Sequence, residues 1–186
     1  MEDIELIIEA TKEGMSEATD RLARELGKIS TGKATPAMLD NIRPEYYGAS
    51  TPLAQVANVT TADARTLIIQ PWEKSMIGPI ERAIFEANLG FTPQNDGQII
   101  RINIPPLTQE RRKEFVKRAK ALGEEARVSI RNARRDAMED IKKAVKDGFP
   151  EDLGKRKEAE IQEMTTTFTE RVERLLEVKE KDIMTV

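Results

Sequence analysis

From Phe115 to Ala144 this chain carries one unbroken line of apolar or small residues. Phe115, Ala119, Leu122, Ala126, Ile130, Ala133, Ala137, Ile141 and Ala144 follow one another in steps of three or four, the spacing of a single buried stripe on an α-helix. A strand cannot use that period, and an isolated helix cannot hide the stripe from water. The chain must therefore supply other long helices to cover it. At about 1.5 Å per residue, a helix over 108–146 is a rod of roughly 55–60 Å.

A second stripe runs beside the first. With about 100° of rotation per residue, Lys113, Lys117, Lys120, Arg127, Arg131, Arg134 and Arg135 gather on one flank, interrupted by Glu124. Residues 111–135 hold ten Lys or Arg against Glu114, Glu124 and Glu125, a local charge of +7 in a chain whose net charge is −3, so the remainder carries −10. An acidic body repels phosphate, which confines any nucleic-acid contact to this flank. The plainer alternative is a solvated charged face. Against it, arginine is preferred to lysine in the second half and acids at i+4 are scarce, so the guanidinium groups are expected to await an external anion.

Composition removes whole classes of chemistry. The chain has no cysteine and no histidine, which excludes disulfides, thiolate catalysis, Ser/His and Cys/His nucleophile pairs and the usual zinc sites. No GxxxxGK[ST] or GxGxxG phosphate loop occurs. Acidic pairs such as Glu124–Glu125 and Glu151–Asp152 are expected by chance in a chain with 33 acids. No catalytic residue, metal site or cofactor is predicted. No apolar run reaches the length of a membrane span, and the acidic start MEDIELIIEA lacks targeting character, so a cytoplasmic protein, or one already processed, is expected.

Charged residues make up 34% and aromatics 4%, which favours long helices. Helical spacing runs over about 2–29 through Ile4, Ile8, Thr11, Met15, Ala18, Leu22, Leu26 and Ile29. Ser30, Thr31, Gly32, Lys33 and Pro36 punctuate it. Strands are then predicted at IRPEYYG (42–48), QVANVT (55–60), TLIIQP (66–71) and QIIRINI (98–104), each bounded by turn residues. Between the last two, 74–90 reads as a helix with Ile77, Ile80, Ile84 and Leu89 on one side and Gly90 as its stop. Pro105 and Pro106 close this β/α/β inset. Thr108 is a fair N-cap for the basic helix, and a last helix over about 151–184 shows Ile161, Met164, Phe168, Val172, Leu175 and Val178.

The fold expected is α+β. A long three-helix bundle (1–30 plus 105–186) carries an inserted small β/α/β domain (31–104), joined by a two-strand hinge in an L-shaped molecule. No helix can bury its stripe alone, so the first must pack back onto the last two. The chain then crosses between the domains at 30–33 and at 105–106, with Ser30, Thr31, Gly32, Pro105 and Pro106 as the hinge. Such an elbow permits rotation while limiting translation.

Four blocks, STGKATPAML (30–39), PEYYGASTPLAQ (44–55), IPPLTQERRKE (104–114) and VSIRNARRDA (128–137), in this order and spacing, make the chain resemble the ribosome recycling factors over nearly its whole length. The resemblance implies a non-enzymatic protein, a monomer, that binds the ribosome after termination in the space between the subunits. With elongation factor G and GTP it would split the ribosome and free the message and the last tRNA. It also implies that Arg131, Arg134 and Arg135, with Asn132 among them, touch large-subunit ribosomal RNA. The stripe residues Arg127, Lys120, Lys117 and Lys113 are candidates for the same contact.

Arg111 and Arg112 match the family's paired arginines but fall outside the cationic stripe on the helical wheel, which leaves open RNA contact or bracing of the hinge. Relatives show Ile-Arg-Thr-Gly-Arg where this chain has Ile29-Ser30-Thr31-Gly32-Lys33, so an RNA contact by Lys33 near the elbow is open too. Gln109 stands where glutamate is usual. Stiffening Gly32 to Pro is expected to leave binding intact and slow splitting. The alternative from another class is a helical adaptor or chaperone with a merely solvated basic face. Tyr46, Tyr47 and Trp72 are read as core or interface residues before a pocket lining.

Overall fold

The three helical runs form three long helices, α1 (Glu2–Gly27), α3 (Gln109–Lys146) and α4 (Glu151–Met184), with a short α2 (Ile77–Ala87) between them. The computed structural model describes residues 2–185 and divides into two compact units. One takes in the chain up to Ile29 and again from Gln109; the other is Ser30–Thr108.

In the first unit α1, α3 and α4 pack along one another through the apolar faces their spacing defines. Met15, Leu22, Leu26 and Ile29 meet Ala119, Ala126 and Ile130 of α3 and Phe168, Val172, Leu176 and Ile183 of α4. Ile8, Ala137, Ile141 and Ile161 close a second cluster. Each fully buried isoleucine contributes about 1.5–3 kcal/mol. The buried threonines of the interface satisfy their hydroxyls on their own helices: Thr11 donates to the Ile7 carbonyl, Thr19 to that of Ser16 and Thr165 to that of Ile161, so no polar partner across the bundle is needed.

Gly123 sets the approach of α3 to α4. A Cβ there would lie 2.3 Å from the Leu176 Cδ1 and 3.0 Å from its Cγ; only hydrogen lets the helices come this near. The corner between them is closed by a Schellman motif, in which Phe149 N–H donates to the Ala144 carbonyl and Gly148 N–H to that of Val145, with Gly148 at φ +109°. Glu151 and Asp152 then occupy the first turn of α4, where the helix dipole favours negative charge.

The second unit is a four-stranded sheet of β3 (Ala57–Asp63), β4 (Thr66–Pro71), β6 (Ile100–Asn103) and β5 (Pro93–Asn95), in the order β3-β4-β6-β5 with every pair antiparallel. The ribbon β1 (Glu45–Tyr46) with β2 (Ala49–Ser50) stands apart from it. Leu67, Ile69, Ile100 and Ile102 alternate inward against Ile80 and Ile84 of α2 and against Leu39, Ile42 and Leu53. The two chain segments that enter and leave this unit are tied to a single turn: Ala34 N–H donates to the Ala64 carbonyl and Ile104 N–H to that of Arg65.

Several expectations are corrected. Val178 is 55% exposed, and Leu176 takes the core position instead. The step after Val172 is four, not three, and two successive steps of three walk off the buried line. Leu89 is 40% exposed, because Asn88 in the left-handed conformation (φ 50°) ends α2 before Gly90 is reached. The run 42–48 yields a strand of only two residues, since Pro44 has no N–H and Tyr47-Gly48, at φ 47° and 82°, turn the chain back. Short β2 and β5 were not foreseen. Arg112 lies outside the cationic stripe and is buried, at 7% exposure. It precedes Ile130 by eighteen residues, five full turns at about 100° per residue, and so extends the buried line.

Candidate nucleic-acid interface

All seven cations of the predicted stripe lie on the continuous helix α3. They do not share one environment. Lys113, Lys117, Lys120, Arg131 and Arg135 are exposed, whereas Arg127 and Arg134 are only partly so. The difference follows from the wheel. Arg134 and Arg127 sit nearest the buried line, on the side where α4 packs; the others point further out.

Contacts across that seam are specific. Arg127 donates through Nε to the Glu173 carboxylate on α4 at 2.8 Å, with a second nitrogen of the fork 2.7 Å from the same oxygen. Its Nη1 reaches Glu124 at 3.2 Å. Arg134 donates through Nε to the Gln162 side-chain oxygen at 2.8 Å. Arg131 donates to the other oxygen of Glu124 at 2.7 Å. The expectation that these arginines lack local partners is therefore overturned. Arg127 is committed to α4 and Glu124, and the one acid that interrupts the stripe bridges Arg127 and Arg131.

Electrostatics follow from this geometry. Hydrogen bonds from Arg131 and then Arg127 hold the Glu124 carboxyl below the usual glutamate value. The bond to Glu173 in turn pushes the Arg127 guanidinium further up. Beside the stripe an open groove is lined by Lys120, Glu124 and Arg127 on one side and by Glu173, Glu177 and Glu180 of α4 on the other. The acidic wall bounds the positive field on that side, so phosphate is favoured at the outer edge.

The other candidates are placed differently. Asn132 is exposed but projects about 100° beyond Arg131, off the stripe. Arg111 is exposed and lies 3.6 Å from Glu114. Arg112 is buried, and its Nε has no hydrogen-bond partner among the described residues. Lys33 is partly exposed, next to buried Gly32. Gly32 has φ +74°, and a Cβ there would lie 3.1 Å from the Leu107 Cγ. The Ser30 hydroxyl accepts from Gly32 N–H at 3.2 Å. Tyr46 and Tyr47 both donate their hydroxyls to Glu73, while Tyr47 and Trp72 remain largely exposed. Tyr46 packs half-buried against the core of the inset, whereas Tyr47 and Trp72 are surface residues.

Glu173 and Gln162 were not singled out in the sequence. They act on residues 46 and 28 positions away, a separation no local pattern reports. Among the described residues no cluster of acids could hold a metal ion, and no helix is long and apolar enough to cross a membrane.

Comparison with known proteins agrees with this architecture. Residues 22–184 match the family Ribosome recycling factor. The chain is 54% identical over 186 residues to the ribosome-recycling factor of Christiangramia forsetii and 49% identical over 187 residues to that of Porphyromonas gingivalis, covering all of each protein. A solution structure of a ribosome recycling factor superimposes with a TM-score of 0.85 at 34% identity over the full length of both chains. A T. thermophilus ribosome recycling factor, bound with E. coli elongation factor G to the E. coli post-termination complex, matches with a TM-score of 0.66. It is 42% identical and covers 98% of this chain and 99% of its own. With full-length identity near one half and the same three-helix bundle and inserted sheet, this chain belongs to the ribosome recycling factor family.

Proposed function

We propose that this chain recycles ribosomes after termination by binding the post-termination complex together with elongation factor G and separating the subunits, as a cytoplasmic factor with no catalytic activity of its own. The observation that carries the binding step is the outer edge of α3. Lys113, Lys117, Lys120, Arg131 and Arg135 remain exposed along one face of a single 38-residue helix. A rigid row of cations matches the regularly spaced phosphates of an RNA helix, and guanidinium forks grip phosphate oxygens in pairs. Arg127 and Arg134 support this edge from the seam with α4. Asn132, Arg111 and Arg112 contribute at most outside it.

In this reading the bundle, 1–30 with 105–186, docks on large-subunit ribosomal RNA and the inset, 31–104, moves about Ser30, Thr31, Gly32, Pro105 and Pro106. The packing of Gly32 against Leu107 supports coupled movement of the two crossings. It also changes the test of the elbow. Proline cannot adopt φ +74°, so Gly32→Pro would break the turn held by Ser30 rather than stiffen it. The free energy for splitting comes from GTP hydrolysis on the partner.

The deciding experiment is light scattering of post-termination ribosomes mixed with this protein, elongation factor G and GTP. A fall in scattering that requires all three components is expected. Scattering that stays level despite demonstrated binding would remove the recycling assignment.

A further inference from the structure

A groove between α1 and α4 lies away from the stripe and has no part in the function above. Ala23, Leu26 and Gly27 of α1 and Leu175 and Val178 of α4 form its floor; Arg171, Arg174 and Lys179 form its rim; its volume is about 330 Å³. The floor carries no side-chain donor or acceptor. Val178, on the helix yet off the core line, leaves more than half its surface to water. Among the described residues no carboxylate lines the groove.

The rim is cationic and underused. Arg171 lies with its guanidinium carbon 5.0 Å from the Phe168 ring centroid, so its charge rests on apolar surface. Arg174 and Lys179 form no ion pair among the described residues. Burial pulls the Lys179 ammonium below the ordinary lysine value, with Asp182 opposing only in part. A half-buried cation without a bonded partner beside an exposed apolar strip gains from a carboxylate that arrives attached to an apolar body.

We propose that this groove docks an acidic amphipathic segment of a protein partner. Its apolar side chains would cover Leu26, Leu175 and Val178 while its carboxylates meet Arg171, Arg174 and Lys179. From Arg171 to Lys179 the rim runs about 12 Å, just over two helical turns, enough for apolar anchors at i, i+3 or i+4, and i+7. RNA is disfavoured because a nucleotide would desolvate its polar edges over a floor that offers them nothing. The site lies apart from the outer edge of α3 and stands whether or not that edge docks RNA.

The test uses the full chain and a fluorescein-labelled helical peptide of about four turns, with Leu at i, i+3 and i+7 and Glu on both flanks, followed by fluorescence anisotropy. Saturable binding is expected, weakened at least about tenfold in Val178→Glu and in Arg174→Glu/Lys179→Glu. A Glu→Gln version of the peptide should bind weaker by a similar factor. Val178 is exposed, so that variant should keep its thermal midpoint. Absence of saturable binding, or equal binding in the variants, would overturn the proposal. Equal binding of the Gln peptide would reduce the groove to unspecific apolar contact. Displacement of the peptide by a poly-uridine oligonucleotide would assign the rim to RNA instead. A dimer of this chain that Val178→Glu dissolves would make a second copy the occupant.

Discussion

Arg127 and Arg131 stand one turn apart on α3 and share a carboxylate, yet they do different work. The Arg127 side chain is 27% exposed and is held by Glu173 as well as Glu124; that of Arg131 is 62% exposed and, among the described residues, held by Glu124 alone. The first joins two helices of the bundle, and the second offers its remaining donors outward. Identity of side chain and adjacency on a wheel did not separate them. Distance from the buried line did, because only the flank next to α4 can be reached by its residues.

The comparison breaks first if the outer edge is removed. Replacing Lys113, Lys117, Arg131 and Arg135 together by Ala should lower affinity for the large subunit about a hundredfold or more and flatten the salt dependence by about three log units per log unit of salt. The thermal midpoint should stay unchanged. Sedimentation binding across a salt series measures this, and undiminished affinity in the folded variant would end the docking role of the edge.

Gly123→Ala should act on the seam alone. The added methyl overlaps Leu176 and is expected to cost about 1–2 kcal/mol of stability, read in denaturant unfolding, with ribosome affinity preserved once folded. A neutral result would mean the two helices can part without penalty.

Single substitutions sharpen the contrast. Arg131→Ala should weaken docking about tenfold with little change in stability. Arg127→Ala should cost about 0.5–1 kcal/mol of stability and weaken docking less. The reverse ranking would exchange the roles assigned to the two edges.

The smallest effect belongs to Glu124. Removing its charge in Glu124→Gln frees Arg131 and should tighten binding about two- to threefold while steepening its salt dependence. Its carboxyl titrates below the usual glutamate value in the fold. The stabilisation it supplies is therefore complete above the unfolded glutamate pKa and lost as pH falls through the lower folded one. Acid unfolding of Glu124→Gln should lack that component. Identical acid profiles would show that the bridge contributes nothing to stability.

Legibility differed between the two units for a physical reason. In the bundle a period of three and four repeats for many turns, so Met15, Leu22, Ile130, Ile141 and Ile161 could be assigned to the core from spacing alone, and all are buried. Spacing is ambiguous at Leu175 against Leu176, and a step of three there leads off the buried line to Val178. Arg112 was missed because a charge is not read as part of an apolar line, though its position five turns before Ile130 places it there. In the inset the strands are short, and the turns at Tyr47-Gly48 and Asn88 depend on positive φ at non-glycine residues, which composition does not announce. β5 begins with proline and continues with polar residues, a pattern that acquires strand geometry only from pairing with β6.

By itself the sequence determined that three long helices must share one core, that a short-strand unit interrupts them, and that the cations of this acidic chain concentrate on one helix. Those properties follow from periodicity, turn residues and charge, all of which are local. The tertiary structure alone decided which cations face outward and which are spent against Glu173 and Gln162. It also decided how closely α3 approaches α4 at Gly123, and that Val178 with Arg174 and Lys179 borders an open groove. Each of these is a contact between residues far apart in the chain, and its outcome depends on how neighbouring helices are rotated, which no local pattern encodes.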